Sequence, residues 1–205
     1  MEIRTGLIQD IELLIDIDND ASTLFENAGL RLDAARDLEV TLAARQRWMK
    51  CLAAGTVIIA IDQSGEAKGF AAVGVRDAAP FLDQLSVRTC FMGQGIGTQL
   101  LYAAMTVAMQ AGGRALWLTT YSHLSWNRPY YERHGFVVTP AEQCGEQLQA
   151  ELLFERRLLP DPQHRVAMRR QLSASVTLPS TSRPKPSRTS RASVRPPTAG
   201  SAKVE

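Results

Sequence analysis

Residues 85–101 read Leu-Ser-Val-Arg-Thr-Cys-Phe-Met-Gly-Gln-Gly-Ile-Gly-Thr-Gln-Leu-Leu. This is an extended run, a turn with glycines at 93, 95 and 97, and then a helical apolar pattern. Glycines remove side chains where the backbone must bend and let an anion approach the amides at the helix start. Free N–H groups and the helix dipole make such a place a phosphate cradle. A Walker loop would close with Gly-Lys-Ser/Thr, but Thr98 and Gln99 follow Gly97. A GxGxxG fingerprint fails in both frames, because the sixth position is Thr98 or Leu100. Alone, the turn is equally consistent with a tight bend that binds nothing.

A second stretch shifts that balance. Asn127-Arg128-Pro129-Tyr130-Tyr131-Glu132-Arg133-His134-Gly135-Phe136 follows one strand length after the turn's helix. Together the two segments resemble the GCN5-related N-acetyltransferase (GNAT) family. That family carries an R/Q-x-x-G-x-G/A turn and, downstream, an Asn-led block ending in Tyr-Glu-x-x-Gly-Phe. Gly95-Ile96-Gly97 matches the end of the turn, and Tyr131 to Phe136 matches the second block. Met92 departs from the pattern, standing where the family has Arg or Gln; Gln94 is the nearby residue that could compensate. Leu118 to Asn127 resembles a bacterial branch with a similar Thr-Thr…Trp-Asn stretch, for which the resemblance implies no substrate.

The resemblance implies acetyl-CoA, or another short acyl-CoA, as cofactor. Its pyrophosphate is expected on the turn formed by Met92, Gly93, Gln94, Gly95, Ile96, Gly97 and Thr98. Its pantetheine arm is expected along the splayed strand edge at Leu85, Ser86 and Val87, with Asn127 bonding the arm. A backbone amide near Val87 would polarise the thioester carbonyl, and the amine would attack directly through a tetrahedral intermediate. Tyr131 falls on the family tyrosine that protonates the departing thiolate, and a phenol near pKa 10 is protonated at neutral pH. Asp83, two and four residues before Leu85 and Val87, shares their strand face by simple alternation and is the candidate base. Glu26, Asp33 and His123 are further candidates, and free water can also serve. Phe25, Tyr121, His123 and Trp126 are the candidate acceptor-pocket residues. No metal site is expected.

These residues need elements to hold them. Glu2 to Arg4 reads as a strand, and a helix follows from about Asp10. Leu38, Leu42, Met49 and Leu52 mark the apolar positions of a second helix, which ends at Gly55. Val57–Ile61 and Lys68–Val75 form a hairpin across Asp62 to Gly65, and Phe81–Val87 is extended. A helix over about 95–110, a buried strand over 115–120, a short helix from Asn127, a strand from Phe136 and a last strand near Leu148 to Glu155 complete the order. This is α/β (α+β) organisation. The resemblance makes it a GNAT fold, a mixed sheet of about six to seven strands with helices on both faces and splayed strands at the cofactor slot.

Composition agrees with one domain: 45% hydrophobic and 21% charged residues, with a mean hydropathy of −0.12. No apolar run approaches the ~18 residues of a membrane helix, and the amino terminus lacks a secretory plan. Three scattered cysteines suit a reducing cytoplasm. From Met1 to Leu159 there are 14 Lys and Arg against 19 Asp and Glu; from Pro160 to Glu205 there are 9 against 2. Residues 1–159 are therefore read as the acetyltransferase domain and 160–205 as a disordered basic tail rich in Ser, Thr, Pro and Arg. The acidic body argues against nucleic acid. The partners expected are a small-molecule amine and, because dimers are common in the family, a homodimer pairing through the last strand. Acetylation of protein lysines or N-termini, and a non-catalytic acyl-CoA sensor module, are the alternatives.

Overall fold

The strands are Glu2–Thr5 (β1), Val57–Ile61 (β2), Ala67–Arg76 (β3), Ala79–Val87 (β4), Ala115–Tyr121 (β5), Val137–Thr139 (β6) and Arg165–Gln171 (β7). In the computed structural model, which describes residues 1–173, they form one mixed sheet in the order β1-β2-β3-β4-β5-β7-β6. Every neighbouring pair is antiparallel except β4 and β5. The helices are Ile11–Asn27 (α1), Ala34–Ala53 (α2), Ile96–Gln110 (α3), Arg128–Arg133 (α4) and Glu146–Leu158 (α5). Among the described residues no helix is long and apolar enough to cross a membrane.

Strand alternation sorts the core into two layers. Val57 and Ile59 of β2, with Phe70 and Ala72 of β3, meet Leu14 and Ile17 of α1 and Trp48 and Leu52 of α2. Their neighbours Ile58, Ala60, Ala71 and Val73 face the other way, against Leu100, Leu101, Ala104 and Met105 of α3. The β2–β3 turn is set by Asp62, whose Oδ1 accepts from the Ser64 amide at 2.8 Å and the Glu66 amide at 3.1 Å. In α2 the helix matches expectation but its face does not. Leu38 and Leu42 are exposed, while Ala44, Trp48, Cys51 and Leu52 are buried.

Two expectations at the C-terminal side are corrected. Leu148 to Glu155 is not a strand but the middle of α5. Leu148 and Leu152, one turn apart, bury themselves against Phe81 and Ala167, and Gln149, Ala150 and Glu151 between them are good helix formers. The edge expected to pair in a homodimer through that strand therefore does not exist. The domain also extends past Leu159, because Arg165–Gln171 enters the sheet between β5 and β6. Its arginines read as tail charge, yet each has a partner in the fold. Arg165 pairs with Glu155 at 2.7 Å, Arg169 lies over the Trp117 ring, and Arg170 donates to the His134 carbonyl. The rest of the expected tail, from 174 onward, lies outside the described residues.

Gly69 of β3 lies directly against the backbone of β4. A Cβ there would stand 2.6 Å from the Ser86 carbonyl oxygen and 3.1 Å from Val87 Cα. Backbone atoms cannot swing aside, so Gly69→Ala must push β4 away. We expect a loss of about 2–3 kcal/mol and a fall in Tm of roughly 4–12 °C, read by urea and thermal melts. A loss under about 0.5 kcal/mol would show that the strands do not approach this closely.

Candidate active site

Among the described residues β4 and β5 are the only parallel neighbours, and their ladder is a single pair, Phe81 with Trp117. Beyond it β4 continues to pair with β3 through Val87, while β5 pairs with β7 through Tyr121. The two strands part, and the β4 edge from Leu82 to Val87 has no neighbouring strand on that side. A cleft of about 1400 Å³ opens there, walled by α1, α2, β4, β5 and the starts of α3 and α4.

At its mouth the chain turns through Gly93 and Gly95, with φ of +76° and +81°. The left-handed region favours glycine. Gly95 caps α3 without any side-chain hydrogen bond, and open space lies in front of both glycines. The first amides of α3 thus face the cleft without an intrahelical acceptor. Leu85, Ser86, Val87, Met92, Gly93, Gly95, Ile96, Gly97, Thr98, Asn127 and Tyr131 all line the cleft. Gln94 does not: its amide turns back to the Cys90 carbonyl at 3.5 Å, so its side chain does not compensate for Met92. Asn127 stands at the start of α4 but makes no cap hydrogen bond, leaving its side chain free in the cleft.

Tyr131 packs edge-on against Phe136 and Tyr130, at 5.6 and 5.2 Å between ring centres. Burial pushes its phenol above the ordinary value, so the hydroxyl stays protonated. Tyr130 packs on His134, with ring centres 4.7 Å apart. Its hydroxyl, however, is buried, makes no hydrogen bond of good geometry among the described residues although Thr98 stands nearby, and lies beside Gly97 at the start of α3. Burial pushes that phenol up to about 12.

Asp83 is corrected in position. The β3–β4 register slips between Ala72–Gln84 and Val73–Leu82, leaving Asp83 as the extra residue of a bulge. Leu82, Leu85 and Val87 consequently face α3, and Asp83 faces α2, still among the residues lining the cleft. There Arg76 holds its carboxylate at 2.8 Å and Arg47 at 3.4 Å, and Glu151 lies 3.0 Å from Arg76. Its side chain is 2% exposed; burial raises the carboxyl's pKa against the pull of Arg76 and Arg47. Cys51 lies 3.7 Å away, its thiol pushed up to about 12 by burial and by Asp83.

Two other base candidates also have structural posts. Asp33 caps α2, accepting from the amides of Ala35 and Arg36, and does not line the cleft. His123 lies outside it as well, 3.4 Å from Asp161 and with its ring tilted against that of His164 at 4.3 Å, which removes it from the expected acceptor wall. Glu26 does line the cleft, as do Phe25, Tyr121 and Trp126. Those three rings form one cluster, with centres 6.0 and 6.4 Å from Phe25. The Tyr121 hydroxyl is committed to the Pro160 carbonyl at 2.8 Å.

The sequence reading missed the acids of α1. Asp16 pairs with Arg88 at 2.6 Å, and Asp20 accepts from the Thr89 amide at 2.6 Å. Between them Asp18 reaches β4, where its Oδ1 accepts from Ser86 Oγ and Gln84 Nε2, both at 2.6 Å. These three carboxylates hold the strand that leads into the glycine turn. Asp18 lines the cleft, and burial raises its pKa despite those hydrogen bonds and the charge of Arg47. A signal existed: position 18 is four after Leu14 and three before Ala21, both buried, so a carboxylate stood on the core face of the helix.

The sequence model of the Acetyltransferase (GNAT) family matches residues 16–136. Among solved structures, the PaiA N-acetyltransferase of Thermoplasma acidophilum, in complex with coenzyme A, is 16% identical with a TM-score of 0.62, covering 83% of this chain and 98% of that one. An acetyltransferase of the GNAT family from Staphylococcus aureus Mu50 is 14% identical with a TM-score of 0.62, covering 84% and 99%. N-acetylglutamate synthase from Neisseria gonorrhoeae, complexed with coenzyme A and N-acetyl-glutamate, is 18% identical with a TM-score of 0.59, and the match covers 84% of this chain but 35% of that one. At these identities the likeness is one of fold.

Proposed function

The chain belongs to the acetyltransferase (GNAT) family, and from that premise we propose that it transfers an acetyl group from acetyl-CoA to the primary amine of a small molecule. The observation that carries this reading is the open β4 edge running directly into an α3 start with unsatisfied amides. Three features fit such a cofactor: that edge, the open space before Gly93 and Gly95, and the buried Tyr130 hydroxyl, which makes no hydrogen bond of good geometry among the described residues. The solved relatives from Thermoplasma and Neisseria that hold coenzyme A support the same reading.

Acetyl-CoA brings an activated acyl carbon and a thiolate leaving group. The α3 amides and the helix dipole bind its phosphates. The backbone of Leu85 to Val87 aligns the extended arm as an added strand, and an amide there draws charge from the thioester oxygen. Asn127 offers its free amide to the arm. Tyr131, kept protonated by burial, gives its proton to the leaving sulfur. A small acceptor is favoured because Phe25, Tyr121 and Trp126 pack together on the acceptor side with Leu30 and Leu124 buried beneath. Met92 favours a second reading, a module that binds acyl-CoA without turnover.

A thiol-release assay over polyamines, aminoglycosides, amino acids and short peptides, with calorimetric titration of acetyl-CoA, tests both. Turnover of one small-amine class is the expected result. Binding without turnover selects the module, peptide turnover selects a protein target, and no binding at all removes the central inference.

A further inference from the structure

Asp83 is spoken for by two arginines; Asp18 is not. No Lys, Arg or His nitrogen lies within ion-pair distance of Asp18 among the described residues, and its hydrogen-bond partners Ser86 and Gln84 are neutral. Both partners bind the same oxygen, Oδ1, which leaves Oδ2 without a hydrogen bond. A carboxylate held in a buried cleft without a cation is costly unless a cation arrives from outside. The acceptor of an amine acetyltransferase is such a cation before it reacts. Asp18 is also close to the reaction line: its Oδ1 lies one hydrogen bond from the side chain of Ser86, whose backbone stands on the open β4 edge.

Resting on the reading above, we propose that Asp18 binds the acceptor's ammonium group and takes its proton, with Ser86 and Gln84 holding the carboxylate in place. The ammonium gives one proton to Asp18, and the freed nitrogen pair forms the bond to the thioester carbon. The C–S bond breaks with its electron pair on sulfur, which Tyr131 protonates. The second proton lost by nitrogen restores Tyr131, and Asp18 returns its own to water. The net change is amide, thiol and one proton released.

The charged and titratable groups around Asp18 are few. From α2, Arg47 is occupied by Asp83 and Glu151 at 3.4 and 3.7 Å. On α1 itself, Asp16 is paired with Arg88, and Asp20 is bonded to Thr89. From β4, Asp83 is clasped by Arg76 and Arg47. Arg47 acts on Asp18 through its charge from beyond ion-pair distance, and none of these groups pairs with Asp18 directly.

The test is the pH profile of kcat/KM with the amine found by the thiol-release assay, in wild type, Asp18→Asn and Ser86→Ala, with amine affinity by calorimetry in the presence of CoA. In wild type kcat/KM climbs from the acid side as Asp18 loses its proton. Asp18→Asn is expected to lose about 10²–10³-fold in kcat/KM, to bind the amine more weakly and to keep its acetyl-CoA affinity. Its acid limb disappears, leaving only the rise set by the amine near a pKa of about 10.4. Ser86→Ala removes one hydrogen bond to the carboxylate and moves the limb up by about one pH unit; it decides the matter if Asp18→Asn does not fold. An Asp18→Asn enzyme within threefold of wild type with the limb in place overturns the proposal, as does a Ser86→Ala limb that does not move. A wild type that turns over no amine fails the parent reading instead, and is told apart by the wild-type assay alone.

Discussion

Tyr131→Phe lowers kcat by about 10²–10³-fold and leaves the affinity for acetyl-CoA nearly unchanged. The ring stays, and with it the edge contacts to Phe136 and Tyr130 that seat α4 against the sheet; only the hydroxyl is lost. Tyr131 lines the cleft and its hydroxyl makes no hydrogen bond to the described residues, so its removal orphans no protein group. What disappears is the proton that the sulfur needs as the C–S bond breaks. The pH dependence follows from the direction of the shift. Because burial raises the phenol's pKa, Tyr131 remains an acid beyond the ordinary value of about 10, and no alkaline loss of rate arises from it below that pH. Stopped-flow thiol release and calorimetry on the two proteins check this. A kcat within threefold of wild type, or a fall in cofactor affinity matching the fall in rate, would remove Tyr131 from the acid's role.

The parts of this arrangement legible in the sequence are those set by local chemistry. A glycine-punctuated turn before an apolar helix can be read from turn and helix rules, because φ at Gly93 and Gly95 is a local demand. The β-branched run Val57–Ile61 and the turn residues after it mark the first hairpin, and the other early strands follow as extended apolar runs between turns and helices. What could not be read depends on which distant segment supplies a partner. Asp83 lost its expected face to one extra residue in β4, and a bulge leaves no mark in composition. Arg165, Arg169 and Arg170 read as tail charge because their partners, Glu155, Trp117 and His134, come from three other elements. In α2 the larger Leu38 and Leu42 outweighed Ala44 and Cys51 in the sequence pattern, although tertiary packing buries the smaller pair. Asp18 lies between these cases. Its place on α1 was visible, but its meaning came only with Ser86 and Gln84, 68 and 66 residues away.

Asp83→Asn is the second large effect, and it is expected in stability. Asp83 and Glu151 together balance Arg76 and Arg47, with contacts from 2.8 to 3.7 Å. The amide leaves two half-buried guanidinium groups sharing one carboxylate. Removing one partner of a buried pair leaves an uncompensated charge in low dielectric, at a cost of about 3–5 kcal/mol. For a domain of this size that lowers Tm by roughly 6–20 °C. The damage does not spread evenly, because Arg76 and Asp83 tie the β3–β4 bulge to α2 and α5, the layer opposite α3. Restoring charge balance should therefore restore stability: adding Arg76→Gln to Asp83→Asn removes the excess cation, and the pair should be less harmful than the sum of its singles. Calorimetric melts of the two singles and the double complete the cycle. A proton acceptor at Asp83 would give the opposite pattern, a Tm near wild type with the acid limb of the rate profile gone. An ion-pair hub costs the enzyme its heat tolerance, while the protein still folded at low temperature keeps that limb, because the carboxyl that sets it is Asp18 of α1, held by Ser86 and Gln84.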